Sequence, residues 1–153
     1  MRMVDEEYII REEVWEKYGV FLDTDSDKKL VTELNLSNKN IADLKSLEKM
    51  SSLTRLDLYK NQITDLLPLS MLVRLEELGL GSNQITDLTP LMGLISLGEL
   101  RLYNNNITDL TPLKGLKQLE HLNLEDNPNL AGAQIDKLKR PMPKCRIVHN
   151  AKH

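Results

Sequence analysis

The feature that most constrains this chain is a gap-free repeat of 22 residues. Five segments align, beginning at Val31, Leu53, Leu75, Leu97 and Leu119. The middle three read LTRLDLYKNQITDLLPL, LEELGLGSNQITDLTPL and LGELRLYNNNITDLTPL. A unit of this length is too small to form a core of its own, so the copies are expected to stack side by side into a solenoid.

The first half of each copy has the hydrophobic spacing of a β-strand. Leu56 and Leu58 alternate with Arg55, Asp57 and Tyr59. A period of two places the leucines on one face of a short strand and the variable residues on the other face. Stacking of the copies therefore predicts a parallel sheet.

The second half of each copy predicts a return segment that contains a short helical turn. Asp65 can cap this turn, and Pro68 lies where a missing N–H does no harm. Asp87 and Asp109 repeat the capping position in the next two copies. The return segment of the second copy is expected to point four apolar residues inward: Ile63, Leu66, Leu69 and Leu72.

An asparagine recurs at the ninth position of the repeat, where the strand should bend into the return segment. Burial of an amide without hydrogen-bond partners is costly, so these side chains should bond backbone groups of their own and neighbouring coils. The first copy has Lys39 instead, as expected of an atypical terminal coil. The four asparagines to which we assign this structural role are Asn61, Asn83, Asn105 and Asn127.

The repeated pattern L-x-x-L-x-L-x-x-N-x-I resembles that of the leucine-rich-repeat family. Its 22-residue period and the segment I-T-D-L-x-P-L are similar to the bacterial internalin and protein-phosphatase-regulator subgroup. The resemblance covers residues 31 to about 140. It implies an α/β fold: a right-handed solenoid of five coils, with a parallel sheet on the concave side and short 3-10 turns on the convex side. It leaves the function open.

The flanking segments are expected to close the two ends of the core within a single domain of residues 1–153. Residues 1–30 would form the N-terminal cap, 31–140 the repeats and 141–153 the C-terminal cap. Helical spacing predicts a helix over about residues 5–18 that stops at Gly19. Trp15 and Phe21 are predicted to cover the first coil as core residues.

The C-terminal cap is expected to contain a helix followed by a strand. Residues 131–139 predict a short helix that ends before the prolines at 141 and 143. Cys145, Ile147 and Val148 then alternate with Arg146, as in a last edge strand. Cys145 is expected to be a buried hydrophobic residue and not a reactive thiol.

Composition argues against several classes of function. A net charge of −3 and a pI near 5.6 lack the basic footprint of a nucleic-acid-binding protein. No apolar stretch approaches the roughly 20 residues that cross a bilayer, so no membrane partner is expected. The first 17 residues are too acidic for a secretory signal, so the sequence indicates a cytoplasmic protein, and we expect a monomer.

One acidic run imitates a metal site without completing it. Asp23, Asp25 and Asp27 match the opening of an EF-hand calcium loop. Lys28 and Leu34 occupy the positions where that loop needs a glycine and a bidentate glutamate. The run is expected to be a solvated acidic loop, and no metal or other cofactor is expected.

The outward positions of the strands have no structural role and form the candidate binding surface. Gly79 and Gly81 are successive outward residues of the central strand. Tyr59 and Tyr103 lie on either side of them, two strand spacings or roughly 10 Å apart. This arrangement predicts a bare floor between aromatic walls, where another backbone can approach closely. The candidate partner-binding residues are Arg55, Asp57, Tyr59, Glu77, Gly79, Gly81, Glu99, Arg101, Tyr103 and His121.

The candidate surface is acidic, so it would attract a partner with a basic patch. Its cationic residues are Arg55, Lys60 and Arg101, and its acidic residues are Glu33, Asp57, Glu76, Glu77, Glu99, Glu120, Glu125 and Asp126.

These observations lead to the hypothesis of a non-catalytic module that binds a protein or peptide, as a regulator or inhibitor. A structural or surface-displayed repeat scaffold is the alternative. A hydrolase that uses His121 is a third interpretation, although the adjoining coil contains no serine or cysteine nucleophile and the sequence has no glycine-rich phosphate loop.

Overall fold

The computed structural model describes residues 5–153 as a stack of coils between two caps. Each coil consists of a three-residue strand and a return segment, most of them with a short 3-10 helix. The 3-10 helices of the first four coils are Lys45–Leu47, Leu67–Leu69, Thr89–Leu91 and Thr111–Leu113. The helices and strands are α1 Glu6–Tyr18, α2 Asp25–Lys28, β1 Glu33–Asn35, β2 Arg55–Asp57, β3 Glu77–Gly79, β4 Glu99–Arg101, β5 His121–Asn123, α3 Gly132–Lys139 and β6 Arg146–Val148.

The six strands form one parallel sheet in the order in which they occur along the chain. Arg55 pairs with Glu77, and Glu77 with Glu99, so equivalent residues of successive coils lie side by side. The last step pairs His121 with Arg146. The predicted parallel stacking and the 3-10 turns are therefore confirmed.

The leucines of the repeat fill one continuous core along the axis of the stack. Leu56 and Leu58 point inward from β2 and the segment after it, with at most 3% of their surface exposed. The four apolar residues predicted to point inward from the second return segment are also buried. Full burial of such a side chain contributes about 1.5–3 kcal/mol, so the repeated leucines supply most of the stability.

In the first four coils, the 3-10 helix of the return segment follows an aspartate whose carboxylate accepts a backbone hydrogen bond, as the sequence predicts. The Asp65 carboxylate accepts a hydrogen bond from the Leu67 N–H at 2.9 Å. Asp87 accepts the same bond from Thr89, also at 2.9 Å. The Thr89 hydroxyl and its backbone N–H together lower the pKa of Asp87 below its ordinary value. This local hydrogen bonding accounts for the aspartate that recurs at this position of successive coils.

The side chains of the recurrent asparagines form hydrogen bonds between neighbouring coils, and their predicted structural role is confirmed. The Asn83 carbonyl oxygen accepts from the Ile63 N–H of the preceding coil at 3.0 Å. Its amide nitrogen donates to the Leu58 carbonyl of that coil at 3.0 Å and to the Leu80 carbonyl of its own coil at 3.1 Å. Asn61, Asn105 and Asn127 make equivalent bonds.

The residue before each of these asparagines has a left-handed backbone, which the sequence did not reveal. Lys60 has φ 56° and Ser82 has φ 55°. Asn104 and Asp126 share this conformation. Only the last two belong to the residue types that favour positive φ. The coil therefore imposes the left-handed conformation even on lysine and serine, because this conformation directs the next residue, the asparagine, into the interior.

The N-terminal helix is confirmed, with Asp5 as its N-cap and Gly19, at φ 65°, ending it. Ile10 and Val14 are buried against the first coil. The Tyr18 hydroxyl accepts from the Glu33 N–H at 2.9 Å and donates to the Glu33 carbonyl at 2.7 Å. This phenol satisfies the backbone groups of Glu33 that point away from β2.

The predicted core positions of Trp15 and Phe21 are wrong. Trp15 is 48% exposed and Phe21 is 63% exposed, and their rings stack on each other with centroids 4.5 Å apart. Ile10, Val14 and Tyr18 occupy the stripe of α1 that faces the coil, since they recur every four residues. Trp15 lies outside that stripe and packs on Phe21 instead.

The acidic run is not a loop throughout, and the first coil is attached to the N-terminal cap by a salt bridge. Part of the acidic run forms α2, in which Thr24 and Asp27 make a capping box. Lys39, in the first coil, turns its ammonium group to the Glu13 carboxylate of α1 at 2.7 Å. This pair links the atypical first coil to the cap.

The C-terminal helix and strand are confirmed, but the predicted burial of Cys145 is wrong. Cys145 is only partly buried, although it packs against the core. It lies just before β6, the last strand of the described sheet. Burial raises the pKa of its thiol, which agrees with the predicted lack of reactivity.

Across residues 5–153, no helix combines the length and apolar character needed to cross a lipid bilayer.

Candidate functional site

The outward residues of the strands form three rows that run across the stack, and we call this surface the sheet face. The register of the strands aligns the first row as Glu33, Arg55, Glu77, Glu99, His121 and Arg146. The second row is Asn35, Asp57, Gly79, Arg101, Asn123 and Val148. The third follows the strands, with Ser37, Tyr59, Gly81, Tyr103 and Glu125. All ten residues predicted from the sequence lie in these rows.

Tyr59 and Tyr103 form an aromatic pair at the centre of the third row. Their ring centroids are 6.0 Å apart and the rings are tilted by 41°. A Cβ atom built on Gly81 would lie 2.7 Å from the Tyr103 Cε1 atom, so the Tyr103 ring covers Gly81. The predicted bare floor between walls about 10 Å apart is therefore wrong.

Gly81 has a different role from the one expected, because its missing side chain makes room for the Tyr103 ring. Tyr103 leans across Gly81 towards Tyr59, and we call these three residues the tyrosine shelf. Burial, with the nearby Tyr59 phenol and Asp57 carboxylate, raises the pKa of Tyr103 above its ordinary value. Its hydroxyl is therefore neutral at physiological pH and can donate a hydrogen bond.

Gly79 makes room for a carboxylate in the same way. A Cβ atom at Gly79 would lie 2.9 Å from the Asp57 Oδ1 atom. That oxygen accepts a hydrogen bond from the Tyr59 N–H at 3.0 Å. Both glycines thus allow side chains of neighbouring coils to lie flat on the sheet face.

Ion pairs join residues of the first row to each other and to neighbouring cations, as one connected series and one separate pair. The Arg55 guanidinium lies 3.6 Å from the Glu33 carboxylate and 3.4 Å from that of Glu77. Lys17 approaches Glu33 from α1 at 3.3 Å, and Arg101 approaches Glu99 at 2.6 Å. These side chains are substantially exposed, and such pairs each contribute about 0–1 kcal/mol.

The pairing changes the charge balance inferred from the sequence. Lys17 and Arg146 also reach the sheet face, and sequence reasoning missed both because they lie outside the repeat. Among residues 5–153, five acidic residues of the face take part in no salt bridge: Asp57, Glu76, Glu120, Glu125 and Asp126. The net acidic character therefore persists, concentrated away from the paired row.

Two shallow depressions lie on the sheet face and share Arg101. One, of about 170 Å³, is lined by Arg55, Asp57 and Gly79 among others. The second, of about 190 Å³, surrounds His121 between Glu99 and Arg146. Both are smaller than the roughly 300–1,000 Å³ typical of small-molecule sites, which favours contact with side chains of a macromolecule.

The surroundings of His121 do not assemble a hydrolytic site in the described part of the chain. Its depression is lined by carboxylate, guanidinium, amide and aliphatic groups, without a hydroxyl or thiol that could act as a nucleophile. Within residues 5–153, no group of three or more His, Cys, Asp or Glu side chains is placed to hold a metal ion.

Comparisons with known proteins agree with this architecture. The family described as Leucine Rich repeats (2 copies) matches residues 29–71, 51–91, 73–114 and 95–140. No curated protein sequence matches the chain significantly. A crystal structure of the internalin InlF from Listeria monocytogenes is 32% identical with a TM-score of 0.86, over 97% of this chain and 44% of that one.

Two other solved structures are similar at lower identity. A leucine-rich-repeat protein of Leptospira interrogans is 29% identical with a TM-score of 0.59, over 78% of this chain and 37% of that one. A plant peptide hormone receptor, RGFR1 in complex with RGF2, is 26% identical with a TM-score of 0.59, over 67% and 18%. The present chain spans less than half the length of each of these three relatives. It belongs to the leucine-rich-repeat family and is of the internalin-like type.

Proposed function

We propose that this protein is a non-catalytic interaction module that grips a protein or peptide on its sheet face, as a regulator or inhibitor. The observation that carries the proposal is the tyrosine shelf. Tyr59 is 38% exposed beside Tyr103, and the ring pair lies over backbone that bears no side chain at Gly81. Tyrosine is enriched among residues that dominate the energetics of interfaces. The fold itself needs no aromatic residue here, since Ser37 and Glu125 occupy equivalent positions.

The charges of the sheet face favour a basic partner. Of the acidic residues without salt bridges, Asp57 and Glu125 lie next to the shelf, in the second and third rows. The other three, Glu76, Glu120 and Asp126, lie just outside the three rows. Lysine and arginine side chains of a partner would be attracted to these carboxylates, and salt would weaken the association. The neutral Tyr103 phenol adds a hydrogen-bond donor among the acidic groups.

The dimensions of the face favour an extended peptide or loop. Six strands span five spacings, or about 24 Å, which an extended chain crosses in about seven or eight residues. The peptide hormone receptor among the structural relatives, solved in complex with RGF2, supports a peptide as one form of partner.

The test is to select binding peptides of about eight residues from a random library and to measure their affinities by fluorescence anisotropy. Selected peptides are expected to be rich in lysine and arginine. The double variant Tyr59→Ala with Tyr103→Ala should weaken binding by more than about tenfold. Tyr8→Ala is the matched control, because Tyr8 is an exposed tyrosine on the N-terminal cap.

Circular dichroism must show that the double variant is folded. Unchanged affinity in a folded double variant would refute the proposal, as would selection of peptides without basic residues. If Tyr8→Ala weakens binding as much as the double variant does, the binding site lies on the N-terminal cap and not on the sheet face.

A further inference from the structure

Away from the sheet face, the second and third coils expose a group of apolar side chains. Met71, Val73, Met92 and Ile95 are each between 48% and 72% exposed. They follow the 3-10 helices Leu67–Leu69 and Thr89–Leu91. Val73 and Ile95 occupy the same repeat position on adjacent coils, about 4.8 Å apart along the stack. We call these four residues the apolar strip.

The neighbouring coils show that the fold does not require apolar residues at these positions. Lys114 and Ser70 occupy the position of Met92 in the coils on either side. Lys117 replaces Ile95 in the fourth coil, and Ser51 stands there in the first coil. Since sister coils fold with polar residues at the same places, the apolar strip is a property of the surface and not of the core. Exposed contiguous apolar patches mark interaction sites.

A basic border lies on the C-terminal side of the apolar strip. Lys114 and Lys117 follow directly on the fourth coil. The Lys117 ammonium group donates to the Pro141 carbonyl at 3.1 Å, which holds it beside the C-terminal cap. Lys137 of α3 lines a depression of about 200 Å³ with Lys114. The border is therefore opposite in charge to the sheet face, which indicates a different partner.

We infer that the apolar strip and its basic border bind an acidic amphipathic helix of a partner protein. An apolar stripe on such a helix would cover the strip, and its carboxylates would face the lysines. Three coil spacings are about 15 Å, which corresponds to about ten residues of α-helix. The two methionines suit this role because their side chains adapt to an irregular surface. This inference is independent of the sheet-face proposal.

An anionic membrane is the less favoured occupant. Membrane-binding basic clusters commonly contain about four to eight lysines or arginines, whereas the basic border contains three, Lys114, Lys117 and Lys137. Arg74 adds one cation beside Val73, and Lys49 of the first coil pairs with Asp25 at 3.5 Å. The strip also contains no tryptophan, tyrosine or phenylalanine, which commonly anchor proteins in the headgroup region. A single protein helix matches the width of this surface and the basic border at its C-terminal side.

The experiment uses a synthetic acidic helix of about 14 residues, with leucines on one face and glutamates on the other. Fluorescence anisotropy with the full chain should show binding at least tenfold tighter than that of a scrambled peptide of equal composition. Met92→Ser with Ile95→Ser should weaken binding at least tenfold, because it removes apolar surface from the strip. The variant is expected to fold, since serine already occurs at both positions in sister coils. Lys114→Glu, the residue type of the first coil, should weaken it at least fivefold.

Two controls separate the strip from other causes. Thr64→Ser with Thr86→Ser changes exposed residues of the same two coils and should leave the affinity unchanged. Tyr59→Ala with Tyr103→Ala should also leave it unchanged, so that failure of this inference and failure of the sheet-face proposal can be told apart.

Several outcomes would overturn the inference. These are no binding at millimolar peptide, equal binding of the scrambled peptide, or full affinity in the Met92→Ser, Ile95→Ser variant. If the peptide does not bind, but phosphatidylserine vesicles bind and this binding requires Met92 and Ile95, the strip is a membrane-binding surface. A mass that rises with concentration in sedimentation, and only with Met92 and Ile95 intact, would assign it to a second copy.

Discussion

Replacement of one of the recurrent asparagines, Asn83→Ala, should destabilise the protein by about 2–6 kcal/mol. The carbonyls that Asn83 bonds keep other donors, because Leu58 also accepts from Asn61 and Leu80 from Asn105. The Ile63 N–H loses its partner, the Asn83 carbonyl oxygen at 3.0 Å, and is buried.

The magnitude follows from these separate losses. One orphaned buried N–H costs about 1–3 kcal/mol. Each of the two best bonds from the Asn83 amide nitrogen contributes about 0.5–1.5 kcal/mol. The smaller alanine side chain adds a minor loss of packing. Gln84→Ala is the matched control, since Gln84 is the exposed next residue, and it should change stability by less than about 0.5 kcal/mol.

Urea denaturation followed by far-UV circular dichroism measures the difference, provided that the slope with urea is unchanged. Native-state hydrogen exchange gives a local readout. The Ile63 amide should lose protection, whereas the Ile107 amide, bonded to the Asn127 carbonyl oxygen, should lose it only through the global change in stability. A loss below about 1 kcal/mol with unchanged protection at Ile63 would refute the structural role assigned to these asparagines.

Three further predictions concern the caps and the return turns. Gly19→Ala should lower the free energy of unfolding by about 1 kcal/mol, because Gly19 has φ 65° and an L-residue is strained there; an unchanged urea midpoint would contradict this. Asp87→Ala should lower Tm at pH 7. Hydrogen bonds from Thr89 lower the pKa of Asp87 in the folded state. The ionised carboxylate therefore stabilises the fold above the ordinary pKa of 3.8, and this stabilisation is lost as the pH falls below that value. A difference in Tm between Asp87→Ala and the unaltered protein that is as large at about pH 2 as at pH 7 would contradict this prediction. Because burial raises the pKa of Cys145, its thiol should react with Ellman's reagent at about pH 8 more slowly in the folded than in the urea-unfolded chain, and equal rates would contradict that burial.

The repeat by itself determined the architecture of this protein. A period of two in the strand and a regular spacing of leucines specify which residues face the core, and equal copies can only stack in register. The asparagines and the capping aspartates were also predictable, because each serves backbone groups whose positions follow from the repeat. The acidic, outward rows of the candidate site follow from the same alternation.

The tertiary structure alone decided what those outward side chains do. Repeat spacing places Tyr59 and Tyr103 two strands apart. Only in the folded structure does Tyr103 lean over Gly81, so that the centroids of the two tyrosine rings are 6.0 Å apart. The exposure of Trp15 likewise depends on how α1 is rotated against the first coil. The period positions Cα atoms, whereas side-chain direction depends on rotamers and on the space that neighbouring coils leave.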